Sequence, residues 1–221
     1  MKKILSLAFA GIILAAVSTM NGCKKDDTVA PVISLIGANP LTISLNSTFT
    51  DPGSSANDEE DGSVSVAVDA SNLNTNLTGT YTVYYTATDA AGNEGSATRT
   101  VIVKNDVDSY TASYSALISG CGPTYTYTDG MAASTTVNNQ VIFDKIGDYP
   151  NANKKLRANI SGNSITIVTD TITCGTAPAV PRRFSGSGSI VVSSNTVITM
   201  SITEITILNG NSITCTYEYT H

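Results

Sequence analysis

Beyond residue 28 of this 221-residue chain, apolar side chains recur at every second position. They form short runs of Val, Ile, Thr and Tyr, broken by Gly, Asn, Asp and Pro. A period of two marks strands with one buried face, and no window sustains the 3.6-residue period of an amphipathic helix. The fold class expected is all-β. Runs at 32–36, 41–45, 64–68, 80–88 and 97–103 precede a polar stretch, Lys104-Asn105-Asp106-Val107-Asp108. Runs at 110–118, 124–128, 140–145, 155–160, 164–173, 183–192, 196–207 and 212–220 follow it. Tyr81, Val83, Tyr85 and Ala87 share one face of the 80–88 run, and the alternation turns that face inward. Asp89-Ala90-Ala91-Gly92-Asn93 is turn chemistry, after which Ala97, Arg99, Val101 and Val103 return as the antiparallel partner. Asn209-Gly210 is the strongest hairpin signal in the chain, and Ser161-Gly162-Asn163 and Ser194-Asn195 mark two more. Two units result: a β-sandwich over 29–104, then over 108–221 an antiparallel β-meander of roughly eight strands, forming a small barrel or a second sandwich.

The first 22 residues read differently. Lys2 and Lys3 precede an apolar run from Ile4 to Val17. A helix of that length reaches roughly 21 Å at about 1.5 Å per residue, too short for a bilayer core of about 30 Å. It suits the apolar region of a removable signal peptide. Gly22 directly precedes Cys23, and this junction resembles the lipobox of bacterial lipoproteins, although Met20 and Asn21 depart from its commonest form. The resemblance implies cleavage of 1–22, lipidation of Cys23, and a tether over 23–28. Several buried acyl methylenes, at about 0.8 kcal/mol each, would hold such a chain on a membrane without a spanning helix. Lys25-Asp26-Asp27 is similar to the surface-export signal of Bacteroidota lipoproteins, and a plain solvated spacer is the alternative.

The first unit also carries a resemblance. Ala30-Pro31-Val32-Ile33-Ser34-Leu35, Thr50-Asp51-Pro52-Gly53, Asp61-Gly62 and the stretch from Gly79 to Asn93 stand in an order and spacing similar to the bacterial Ig-like domain of the pesticidal-crystal-protein type. That family implies an Ig-like sandwich serving as spacer or adhesive module, without catalytic residues, and with Tyr81 as a corner tyrosine. The second unit is similar to lipocalin-like β domains, on strand rhythm and the Gly186–Gly188 segment.

Cys121, Cys174 and Cys215 all fall in the second unit, and an exported chain permits disulfides. If the meander closes, its first and last strands are neighbours, which favours Cys121 with Cys215; Cys121 with Cys174 is the alternative, and three buried thiols a third reading. No Cys-x-x-Cys occurs, which removes a redox motif or zinc ribbon.

Charge narrows function by exclusion. Acids outnumber bases 18 to 12, so the net charge is −6 and a nucleic-acid partner is not expected. The sole histidine, His221, is the last residue, which argues against Ser-His-Asp and Cys-His catalysis and His-ligated zinc. The negative charge concentrates in the first unit, where Asp51, Asp58, Glu60 and Asp61 could supply some of the oxygens calcium requires; a solvated acidic loop is the plainer reading, and no other cofactor is expected. Tyr125 and Tyr127 share a face of one strand, and Tyr217 and Tyr219 of another, so these four are candidate ligand contacts if exposed and a sheet-stabilising ladder if not. The chain has no Trp, which weakens sugar stacking. Lys154, Lys155 and Arg157, with Arg182 and Arg183, form a candidate basic patch. Asp144, Asp148, Asp170 and Glu204 leave glycoside hydrolysis open by count alone, although none sits in a motif.

The function expected is therefore a non-catalytic, lipid-anchored protein of the outer membrane, probing the cell exterior. Its Ig-like spacer presents a C-terminal β domain to glycans or extracellular proteins. A carrier of a small apolar ligand is the alternative and requires a barrel interior left partly unfilled. A small hydrolase is third and requires a polar cleft with two perturbed acids.

Overall fold

The computed structural model describes residues 26–145, 147, 149, 152–175, 178–192 and 195–221. The leader, Cys23 and Lys25 lie outside them, as do Asp148 and Ser194. The first unit is a sandwich of two sheets. One comprises β1 (Val32–Leu35), β3 (Ser54–Asp58) and β4 (Gly62–Val64), in the order β1-β3-β4. The other comprises β2 (Leu41–Ser44), β5 (Ala67–Asp69), β6 (Gly79–Thr88) and β7 (Glu94–Lys104), in the order β2-β7-β6-β5, with β2 parallel to β7. The β6–β7 hairpin is paired from Gly79–Val103 to Thr88–Glu94. Val83, Tyr85 and Val101 are fully buried between the sheets, against Ile33, Leu35, Ile43 and Phe49. The corner Tyr81 donates its hydroxyl to the Leu77 carbonyl at 2.8 Å.

The 64–68 run is not one strand: the chain passes from the first sheet to the second between β4 and β5. β3 carries the sequence SSAND, with Ala56 its one apolar residue, so no alternation announced it. It is held by pairing to β1 and β4.

The second unit comprises β8 (Ala112–Ser119), β9 (Tyr125–Ala133), β10 (Gln140–Phe143), β11 (Leu156–Ser161), β12 (Ser164–Ile167), β13 (Asp170–Cys174), β14 (Val180–Val192), β15 (Thr196–Thr206) and β16 (Ser212–Thr220). Eight of them close a barrel: β8-β9-β10-β11-β12-β14-β15-β16, with β16 pairing back to β8. β13 continues β12 along the same edge of β14, with the register slipping by one residue between them. It pairs with residues 180–184 of β14, while residues 187–189 pair with β12. β14 passes from β13 to β12 across Ser185 and Gly186. A Cβ on Gly188 would lie 1.9 Å from the Thr199 carbonyl oxygen, and one on Gly186 2.1 Å from that of Ser201. Only glycine permits that approach of β14 to β15.

An eight-stranded barrel is just wide enough for side chains to fill. Here Tyr114, Phe143, Ile165, Ile172, Phe184, Ile190 and Tyr219 are among the fully or nearly fully buried side chains that fill it.

Candidate functional site

The up-and-down order gives the barrel two ends. Residues 134–139, 162–163 and both termini of the domain share the end that meets the Ig-like sandwich. There Asn105, 0% exposed, donates to the Ser134 and Val137 carbonyls at 2.7 and 3.0 Å. Its carbonyl oxygen accepts from Val107 and Asn139. Asn138 donates to Asp106 and accepts from its amide, while Thr78 donates to the Thr135 carbonyl.

The far end gathers, among the described residues, 120–124, 144–145, 147, 149, 152–155, 175, 178–179 and 207–211. Cys121 and Cys215 are disulfide-bonded there, joining the end of β8 to β16. Cys174 is a buried free thiol whose pKa is pushed up by burial, which disfavours the reactive thiolate. Glu204, 7% exposed, is ion-paired with Arg182 and accepts from the Tyr149 hydroxyl at 2.7 Å. The Arg182 guanidinium stacks 4.8 Å from the Tyr149 ring centroid. Around this pair, Lys154 and Arg157 bind Asp170 at 2.7 and 3.1 Å, and Lys155 binds Asp144 at 2.5 Å. Ile207, Leu208 and Ile213 project from the same end, Leu208 being 73% exposed.

The four tyrosines part company. Tyr125 is 45% exposed and donates to the Gly147 carbonyl at 3.0 Å. Tyr127 is partly buried. Tyr217 and Tyr219 are 3% and 2% exposed, which corrects their reading as contacts: in a closed barrel their shared face is the interior. Tyr219 donates to Asp129 Oδ2 at 3.0 Å and its hydroxyl lies 3.1 Å from that of Tyr127. Asp129 itself is 1% exposed, and its other oxygen accepts from the Lys145 amide at 2.8 Å. Burial pushes its pKa up to about 6. Sequence reasoning did not single out this acid, although its position on an inward register of β9 carried the signal.

The acids proposed as calcium ligands are not assembled as one set. Asp51 accepts from the Tyr85 hydroxyl at 2.8 Å and lies 3.7 Å from Arg99, whose guanidinium also donates to the Ile36, Ala38 and Gly53 carbonyls. Arg99 is 0% exposed, so Asp51 is its counter-charge. Glu60 is exposed. Asp61 instead meets Asp27 and Asp89, with a carboxylate oxygen of each within 4.8 Å of the others.

The hydrolase reading also loses support. Asp144, Asp170 and Glu204 are each ion-paired, and Asp170 is held below the usual carboxylate range by its hydrogen bond from Lys154. The filled interior likewise counts against the apolar-ligand carrier.

The order of the sandwich strands, its corner tyrosine and its paired turns are those of an Ig-like domain. Residues 33–103 match the family described as bacterial surface protein, Ig-like domain. The match covers the first domain, and a bacterial surface domain fits a cell-envelope location. Among solved structures, the chain is similar to the lipoprotein BT2262 from Bacteroides thetaiotaomicron, at 14% identity over 85% of this chain and 98% of that one, with a TM-score of 0.32. No curated protein matches the sequence.

Proposed function

We propose that the chain is a non-catalytic, lipid-anchored protein of the outer membrane, surface-exposed, in which the Ig-like domain is a stiff spacer and the far end of the barrel is the contact face. The observation that carries this reading is topological. The hydrogen-bonded joint at Asn105 occupies one end of the barrel, so the end bearing Tyr125, Ile207, Leu208 and Ile213 points away from the Ig-like domain. Clustered apolar side chains on a soluble surface mark interaction sites more often than isolated ones do. Their aliphatic character, and a single exposed Tyr among the four candidates, favour an extracellular protein over a glycan.

The test is binding of the mature chain to paired arrays of extracellular proteins and of glycans. Binding to a protein that is lost in Y125A/L208D, with the fold retained, is the expected result. Glycan binding insensitive to that variant would overturn the assignment of the face. For the anchor, replacing Cys23 with Ala is expected to release the protein from the membrane fraction; fractionation unchanged by C23A would refute it.

A further inference from the structure

We propose that the end of the Ig-like domain nearest the tether is a divalent-cation site of the calcium class, with Asp27, Asp61 and Asp89 as its carboxylate ligands and the buried Asp58 carboxylate on the same turn as Asp61. Three separate segments converge on it: the chain entering β1, the β3–β4 turn, and the β6–β7 turn. They bring three carboxylate oxygens within 4.8 Å of one another. Two of these segments are already joined without an ion, since Asp61 Oδ2 accepts from the Ala90 amide at 2.7 Å. Asn93 fixes the third, donating to the Asp27 and Val29 carbonyls and to Asp89 Oδ2.

The second observation is independent of that clustering. Asp58 is 2% exposed; its Oδ1 accepts from the amides of Glu60 and Asp61, and its Oδ2 is buried with no hydrogen-bond partner. Oδ1 thus ties Asp58 to the turn that presents Asp61, and Oδ2 is left without a partner. A buried carboxylate oxygen with no donor is costly and calls for a counter-charge. The protein supplies none from the domain itself. Between Thr28 and Val107 the bases are Arg99 and Lys104. Arg99 is occupied by Asp51 and backbone carbonyls, and Lys104 ends β7 at the barrel side. Hard oxygen ligands, with carbonyls nearby, suit calcium.

The consequence is mechanical. Asp27 belongs to the segment leading back to the tether, so an ion shared with Asp61 and Asp89 would clamp that segment to the folded domain. Extracellular calcium modules work at about 0.1–1 mM.

The test uses the mature full chain, with melting followed while calcium is titrated. A saturable rise in melting temperature with a midpoint near about 0.1–1 mM is expected. D61N, at an exposed position, is expected to weaken that midpoint about tenfold or more, and D27N likewise. D69N, removing an exposed acid outside the cluster, is expected to leave it unchanged. Limited proteolysis of the tether, slowed by calcium in the wild type and not in D61N, gives a second readout. No response up to about 10 mM, an equal response in D61N, or an equal response to magnesium at matched ionic strength would overturn the site. None of these outcomes depends on the contact face of the barrel.

Discussion

Burial of Asp129 makes the barrel's stability depend on pH. The carboxylate is 1% exposed, and its pKa moves from an ordinary 3.8 to about 6. At about 1.36 kcal/mol per tenfold change in proton affinity, that corresponds to about 3 kcal/mol. Because the folded-state pKa is the higher one, the folded state holds the proton more tightly than the unfolded state. The associated stability is fully present below about pH 4 and is lost as pH rises through about 6. The carboxylates held low in the folded protein, Asp69, Asp89 and Asp170, act oppositely, losing their contribution as pH falls below the ordinary carboxylate value. The two effects therefore separate along the pH axis. D129N isolates the first. An amide oxygen can still accept from Lys145, and the amide nitrogen can donate to Tyr219, whose proton turns to Tyr127. Urea unfolding followed by circular dichroism, at intervals from pH 4 to pH 7, is the assay. The wild-type barrel is expected to lose about 3 kcal/mol across that range relative to D129N. Parallel profiles for the two proteins would refute the assignment.

Three further outcomes follow from particular contacts. Removing the Cys121–Cys215 bridge as C121S/C215S opens a sequence separation of 94 residues; the chain-entropy argument gives a loss of about 4–5 kcal/mol, read from urea midpoints with and without reductant. R99M leaves Asp51, the Tyr85 hydroxyl and three carbonyls without their donor; a loss of about 3–5 kcal/mol is expected in the Ig-like transition, and a calorimetric change under about 1 kcal/mol would contradict it. N105A strands two carbonyls and two amides at the joint; the expected result is a cost of at least about 3 kcal/mol and melting that splits into separate Ig-like and barrel transitions, seen by scanning calorimetry.

Much of the architecture was legible because strand pairing in this chain follows local alternation. The β6 and β7 faces, with Arg99 on the inward register, could be read directly, and so could the Asn209-Gly210 hairpin, where Gly210 takes φ 70°. What could not be read depends on distant partners. β3 has no apolar alternation, because its order comes from the strands either side. Arg99 reads as an anomaly until the carbonyls of residues 36, 38 and 53 close around it. Tyr217 and Tyr219 could be taken as ligand contacts because period two distinguishes two faces but does not say which one a closing barrel turns inward. The three acids at positions 27, 61 and 89 are far apart in sequence, and only the ends of three strands bring them together.

The stiffness of the molecule then rests on two unlike joints. Lys104-Asn105-Asp106-Val107-Asp108 has a linker's composition, yet Asn105 uses both amide protons and accepts twice, all of it out of solvent. Bending at this joint would break several hydrogen bonds of a fully buried side chain at once, which resists hinge motion between sandwich and barrel. The other joint is where the chain enters β1, and its order depends on Asn93 and on acids that repel one another. A cation at the proposed site would neutralise that repulsion and hold the segment entering β1 against the domain. Under the proposed anchor and cation site, the reach of the far end would be set by the cation concentration acting at residues 27, 61 and 89.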